Sequence, residues 1–259
     1  MTRKYAVAVE GQVYTVMVSD DREALLAAKA AGTASVELWG SGRMGETRAG
    51  EEECTGPGRP GRDSGSLFLS GYAVESLEDI TREYLEQVVR RQLGLPWEIA
   101  GTRRLVIREF QGGDEVWIPC EPEDREADRV FRDPVLLREY IRCQYGFYGY
   151  GIWAVTDRES GRLVGKAGVT NLEWEFGAGG EPEDALELGY HIFTPYRRHG
   201  YGEEACQGIL KWCRGREVYA KTDASNQASV NLLKKLGFCL TDQRCSESGQ
   251  WRCLYVRSC

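Results

Sequence analysis

The residues best suited to chemistry lie in one run, Glu187-Leu-Gly-Tyr-His-Ile-Phe-Thr-Pro-Tyr-Arg-Arg-His-Gly-Tyr-Gly202. Residues 186–193 have a strand's composition, with Glu and His interleaved among apolar and aromatic residues. A Pro, two Arg and two Gly then break any regular element. Beyond Gly202 the apolar positions Ala205, Ile209, Trp212 and Cys213 fall at helical spacing. The order is strand, glycine turn, helix start. The first amides of a helix have no partner inside it, and the dipole end there is positive. Gly200 and Gly202 carry no Cβ, so a ligand can approach the backbone closely. With Arg197 and Arg198 alongside, the pattern suits a phosphate or diphosphate. It is not the G-x-G-x-x-G dinucleotide fingerprint.

Arg197-Arg-His-Gly-Tyr-Gly202 resembles the R/Q-x-x-G-x-G/A turn of the GNAT superfamily of acetyl-CoA-dependent N-acyltransferases. Upstream, Glu187-Leu-Gly-Tyr190 is similar to the strand before that turn in the subgroup that acetylates the N-termini of ribosomal proteins. Downstream, Asp223-Ala-Ser-Asn-Gln-Ala-Ser-Val-Asn-Leu-Leu-Lys-Lys-Leu-Gly-Phe238 resembles the subgroup's N-x-x-S-x-x-x-x-x-x-x-G-F helix. The resemblance covers residues 102–257. It implies an α/β (α+β) fold with a mixed central sheet, and acetyl-CoA as cosubstrate. It implies main-chain groups of His191, Ile192 and Phe193 along the pantetheine arm. Arg197, Arg198, His199, Gly200, Tyr201 and Gly202 would surround the diphosphate, with Asn226 and Ser229 on the far side. The loop carrying Tyr145, Phe147, Tyr148 and Tyr150 would border the acceptor pocket, although such rings also serve ordinary packing. A Glu- and Gly-rich loop at 171–182 could cap the same pocket.

Making an amide from an amine and a thioester requires a held cofactor, a neutral amine and a stabilised oxygen. Glu187 is the candidate base, directly or through water. His191 shares its strand face by period-two spacing and is second. Many members of the superfamily use a Tyr on the last cofactor helix to protonate the departing thiolate. Here that position is Leu233, which leaves the general acid unassigned. An α-amine of pKa near 8 is about one-tenth neutral at pH 7, whereas a lysine amine is neutral in roughly one molecule in a few thousand. A peptide N-terminus or a small amine of lower pKa is therefore favoured. The expected function is acetyl transfer to a primary amine by direct attack in a ternary complex. The alternative is a coenzyme A-binding regulatory module without turnover.

The chain has 259 residues, enough for two domains. Its 42% hydrophobic and 28% charged content is that of a globular protein. The net charge is −7 and the cations are scattered, which argues against a nucleic-acid partner and suits cationic amines. No apolar run approaches the roughly 20 residues of a membrane span, and no secretory pattern follows Met1. A cytoplasmic location is expected, with no membrane partner. The nine Cys form no C-x-x-C pair and read as reduced thiols packed as small hydrophobes. With only His191 and His199 as imidazoles, no metal site is expected. The oligomeric state is open, a homodimer being one option.

The elements that must position these residues form two expected domains, 1–98 and 102–259. In the first, residues 13–19 read as a strand, 22–31 as a helix capped by Asp20 or Asp21, and 34–39 as a second strand. That is a βαβ unit, hence a small Rossmann-like accessory domain. Residues 40–66 read as a mobile loop or disordered insert, 67–74 as a strand and 77–93 as a helix. Gly94, Pro96 and Gly101 mark a linker. Residues 16–39 resemble the acidic-loop segment of haloacid-dehalogenase-like phosphatases. The earlier strand candidate, 5–9, ends in Glu10-Gly11 and brings no nucleophilic D-x-D, so no phosphatase activity is expected. Docking, dimerisation or regulation remain for that domain. In the second, 103–110 reads as a strand. A helix starts at Asp133-Pro134 and runs to about Gln144. Strands follow at 152–155 and 163–169 around a turn at 157–161. Two more lie near 238–244 and 251–256, with a turn at 247–249.

Overall fold

Glu10 and Gly11 both have positive φ, 49° and 77°, the conformation that a two-residue hairpin needs. They join β1 (Thr2–Val9) to β2 (Gln12–Ser19), paired antiparallel from Val9↔Gln12 to Thr2↔Ser19. The computed structural model describes residues 1–39, 70–121, 126–173, 185–245 and 249–258. The expected loops 40–66 and 171–182 and the turn 247–249 lie wholly or mostly outside the described residues. The chain divides into two compact units, Met1–Trp97 with Arg125–Gly149, and Glu98–Asp124 with Tyr150–Cys259.

In the first unit, α1 (Arg22–Ala30) carries the chain from β2 to the parallel strand β3 (Ala34–Leu38). Asp21 caps α1 by accepting the Glu23 amide at 2.9 Å. Asp20 instead pairs with the N-terminal amine of Met1. The βαβ unit is as expected, with β1 added as a hairpin edge. A short strand β4 (Ala73–Val74) extends the sheet beside β3. The strand expected over 67–74 is thus confined, among described residues, to its last two. The helix expected over 77–93 is two pieces: a 3₁₀ turn at Leu77–Asp79, then α2 (Arg82–Gln92). Ser76 and Asp79 close a capping box on the first piece, and Thr81 opens the second by accepting the Tyr84 amide. Leu85, Val88 and Val89 of α2 pack on Val7, Val9, Val16, Val18 and Val36.

Asp133 caps α3 (Pro134–Tyr140), accepting the amides of Val135 and Leu136 at 2.9 and 3.1 Å. The helix does not continue regularly to Gln144. It loosens into a π-helical turn at Ile141–Tyr145, followed by the short α4 (Gly146–Tyr148). Gly149 ends it in the left-handed region at φ 74°. Cys143 is disulfide-bonded, which departs from the expectation of reduced thiols throughout. Cys120, Cys206, Cys213, Cys239, Cys245 and Cys253 are not disulfide-bonded.

The second unit is an eight-stranded sheet. Its strands are β5 (Glu98–Gly101), β6 (Leu105–Arg108), β7 (Ile152–Asp157), β8 (Leu163–Asn171), β9 (Leu186–Ile192), β10 (Glu217–Asp223), β11 (Cys239–Cys245) and β12 (Trp251–Ser258). Their order across the sheet is β11-β12-β10-β9-β8-β7-β6-β5. The expected linker therefore ends in an edge strand, because residues 98–101 pair antiparallel with β6. Among the described residues of this sheet β9 and β10 alone run parallel, joined by the connection through α5 (Tyr201–Trp212). Ala205, Cys206, Ile209 and Leu210 of α5 are buried, and each larger apolar side chain among them contributes about 1.5–3 kcal/mol. Gly208 brings α5 close to the sheet: a Cβ there would lie 3.0 Å from Ile107 Cδ1 and 3.1 Å from Thr102 Cγ2. α6 (Gln227–Lys235) leads from β10 into β11.

Candidate active site

Among the described residues β9 meets β10 at only two rungs, Leu186 with Val218 and Glu187 with Tyr219. Its other edge pairs with β8 along its whole length, from Leu186↔Asn171 to Ile192↔Gly165. The β10-side edge of β9 is therefore open beyond Glu187, and a gap opens where a ligand chain could add like a strand. The ladder continues through the Phe193 amide, which donates to Val164 O at 3.0 Å. By the two-residue alternation of an antiparallel pair, Glu187, Gly189, His191 and Phe193 turn their main chain to β8. Tyr190 and Ile192 turn theirs into the gap.

The register separates the three residues expected along the pantetheine arm. Of His191, Ile192 and Phe193, only Ile192 faces the gap. Both main-chain groups of Phe193 are already engaged, its carbonyl accepting the Tyr196 amide at 2.8 Å. Tyr190, absent from the expected set, is the second gap-facing residue. Its hydroxyl meets Ser229 Oγ of α6 at 2.7 Å. Burial pushes the Tyr190 phenol up to about 12.

At the glycine turn, Arg198 has φ 66° and Gly200 has φ 80°. Gly200 is the N-cap of α5 and offers no side-chain acceptor. Left-handed Gly200 followed by right-handed Tyr201 is the alternation that aims successive amides at one anion. Among the described residues, no acceptor meets the amides of Arg198, His199, Gly200, Tyr201, Gly202 or Glu203. The first internal bond of the turn is Glu204 N to Gly200 O at 3.1 Å. These are the donors a diphosphate would take.

Ion pairs hold this turn from both sides. Arg104 Nη1 donates to His199 O at 2.9 Å, and its Nε donates to Glu204 Oε2 at 2.7 Å. Glu204 also accepts the Thr102 hydroxyl and the Arg104 amide, both at 2.7 Å. Burial pushes the Glu204 carboxyl up, but these bonds outweigh it and hold it below the usual range. On the other side is Glu121, to which no sequence motif pointed. It accepts the Thr194 amide at 2.6 Å, the Arg197 guanidinium at 3.1 Å and His191 Nε2 at 2.5 Å. Burial opposes its ionisation, but bonds from Thr194 and His191 bring it below the usual range. Arg197 Nε donates to Ile192 O at 2.9 Å. The Arg197 side chain is thus tied inward, which leaves Arg198 as the turn's outward cation.

Glu187, the candidate base, is ion-paired with Lys221 of β10 at 2.9 Å. Asn226 caps α6 by accepting the Ser229 amide at 3.1 Å. Tyr145 is fully buried and packs edge-on against Tyr140 at 5.5 Å, so its ring is core rather than pocket wall. Phe147 and Tyr148 are exposed and lie edge-to-face at 4.9 Å. These three belong to the first unit. Tyr150 belongs to the second, and its hydroxyl donates to Asn171 Oδ1 at 2.5 Å. Leu233 is fully buried. A cavity of about 660 Å³ runs along α5 past Arg103, Gly200, Lys211 and Trp212; it meets the turn at Gly200, Glu203 and Glu204, and neither Glu187 nor His191 lines it. The described residues hold no cluster of three metal-ligating side chains and no helix long and apolar enough to cross a membrane.

Residues 104–239 match the family described as an acetyltransferase (GNAT) domain. That stretch is more than half of the 259 residues, and the chain belongs to the GNAT acetyltransferases. Over 126 residues it is 28% identical to YjdG of Bacillus subtilis (strain 168), named an uncharacterized N-acetyltransferase; the match covers 46% of this chain and 68% of that one. A Bordetella pertussis structure ascribed to the GNAT family has a TM-score of 0.50 at 22% identity, covering 62% of this chain and 100% of that chain. The ribosomal-protein-S5-alanine acetyltransferase of Vibrio fischeri has a TM-score of 0.50 at 15% identity, covering 63% of this chain and 96% of its own. These structural likenesses show the fold.

Proposed function

We propose that the chain transfers an acetyl group from acetyl-CoA to a primary amine, either a protein N-terminus or a small molecule. The observation that carries this reading is the row of amides from Arg198 to Glu203, which meets no acceptor among the described residues at the mouth of the β9–β10 gap. When bound, acetyl-CoA supplies the acetyl group as a thioester open to direct attack by an amine. The turn amides and Arg198 hold the diphosphate. The main chain of Tyr190 and the amide of Ile192, whose carbonyl is taken by Arg197, orient the arm along the gap. Glu187 takes the amine proton, its carboxylate fixed by Lys221. Ser229 and Asn226 line the α6 side. The ribosomal-protein enzyme among the structural neighbours favours a peptide N-terminus as acceptor. The first unit serves docking, dimerisation or regulation; its βαβ unit of β2, α1 and β3 is compatible with a haloacid-dehalogenase-like remnant without the nucleophile.

Thiol release from acetyl-CoA across a panel of amines and short peptides tests the reading. Amine-dependent release is expected for at least one acceptor class. A second reading, a coenzyme A-binding regulator without turnover, draws on the Glu187–Lys221 pair and on buried Leu233 where the superfamily's acid would stand. It predicts coenzyme A binding with no release for any amine.

A further inference from the structure

Glu121 is 8% exposed and lies outside every motif the sequence offers. Its carboxylate nevertheless receives three donors from the end of β9 and the turn that follows. Thr194 N is at 2.6 Å, His191 Nε2 at 2.5 Å and Arg197 Nη2 at 3.1 Å. Thr194 and Arg197 bracket a single 3₁₀ turn, Thr194–Tyr196, which the Arg197 amide closes on Thr194 O at 3.3 Å. Arg198, the first left-handed residue of the anion turn, follows directly. One buried carboxylate thus fixes both ends of the segment that aims the amides of Arg198 to Glu203. Arg104 fixes the far side through His199 O and Glu204.

We propose that Glu121 is a positioning residue: it holds the Thr194–Arg197 segment so that the following amides are set for a diphosphate, and it spends the Arg197 charge in doing so. This rests on the reading that the turn takes the diphosphate of coenzyme A. Removing Glu121 leaves the Thr194 amide and the Arg197 guanidinium without their buried acceptor, and the turn loses its anchor on that side. The carboxylate acts through the turn, so its effect belongs to the diphosphate end of the ligand. A ligand lacking that end is indifferent to it.

Calorimetric titration with coenzyme A, and with pantetheine as the control lacking diphosphate and nucleotide, tests this on the full chain. Glu121→Ala is expected to weaken coenzyme A binding about tenfold or more while leaving pantetheine unaffected. Glu121→Gln keeps a carbonyl for the Thr194 amide and should fall between Ala and the parent; it carries the test should the alanine variant not fold. Arg197→Met should weaken coenzyme A as well, and its effect combined with Glu121→Gln should be less than the sum of the two. Coenzyme A bound by Glu121→Ala as tightly as by the parent overturns the inference, as does equal loss of coenzyme A and pantetheine. A parent that binds no coenzyme A overturns the functional reading and this inference together.

Discussion

Lys221 Nζ lies 2.9 Å from Glu187 Oε2, tying β10 to β9 beside the last rung at which the two strands pair. Lys221 also donates to Glu173 O at 2.7 Å, so the ammonium is held on two sides. A carboxylate fixed this way is held in one orientation. Glu187→Gln is expected to lower kcat about 100-fold with little change in KM for acetyl-CoA. Steady-state rates decide it; an unchanged kcat removes Glu187 from the chemistry. Lys221→Met should cost about 1–3 kcal/mol of stability by removing a charge-assisted bond to a partly buried carboxylate, which chemical denaturation would measure.

The two carboxylates that clamp the turn make stability pH-dependent in a definite direction. Glu204 and Glu121 both sit below the usual carboxylate range when folded. Their stabilising contribution is complete above the unfolded value of about 4.3. It is lost as pH falls through the folded values. Glu204→Gln should therefore unfold more readily than the parent at pH 7, and the gap should close below about pH 4. A gap that widens in acid contradicts the assignment.

Arg198 and Gly200 hold the same left-handed conformation with opposite consequences. Gly200→Ala would place a Cβ in the left-handed region and 3.4 Å from Arg104 Nη2. It should cost about 1–2 kcal/mol and weaken coenzyme A binding. Arg198→Gly should relieve strain and stabilise the fold by up to about 1 kcal/mol, yet weaken coenzyme A binding by removing the outward cation. Thermal denaturation paired with cofactor titration separates the two effects. Arg198→Gly binding coenzyme A as the parent does would show that its charge faces elsewhere.

The Tyr190 hydroxyl bridges β9 to α6 through Ser229. With its phenol pushed up to about 12 by burial, it stays protonated at neutral pH. Tyr190→Phe is expected to cost about 1 kcal/mol and to leave the pH dependence of turnover between 6 and 9 unchanged. A new limb in that range on mutation would mean that Tyr190 handles a proton in the reaction.

How far the sequence could be read follows from how local each signal is. The turn at Arg197–Gly202, a cap at Asp20 or Asp21, the cap at Asp133 and the start of α5 were legible because each rests on a few adjacent residues. Helix continuity was less so: Ser76 and Asp79 spend their side chains on one closed turn, and Ile141–Tyr145 widens into a π turn. Residues 98–101 looked like linker because an edge strand this short has no periodicity to show. Glu121 was invisible because its partners lie some 70 residues away in sequence and no motif links them. Which of His191, Ile192 and Phe193 faces the gap depends on the β8 register, which composition does not encode. Tyr145 shows the same limit, since an aromatic ring reads alike whether it lines a pocket or a core.

The most direct test is an amide-resolved NMR titration of the full chain with coenzyme A. The account predicts that the amide signals of Arg198 to Glu203 shift progressively and saturably, while those of β1 and β2 stay put. Saturable binding that leaves these six amides unmoved, or no binding at millimolar coenzyme A, would contradict it.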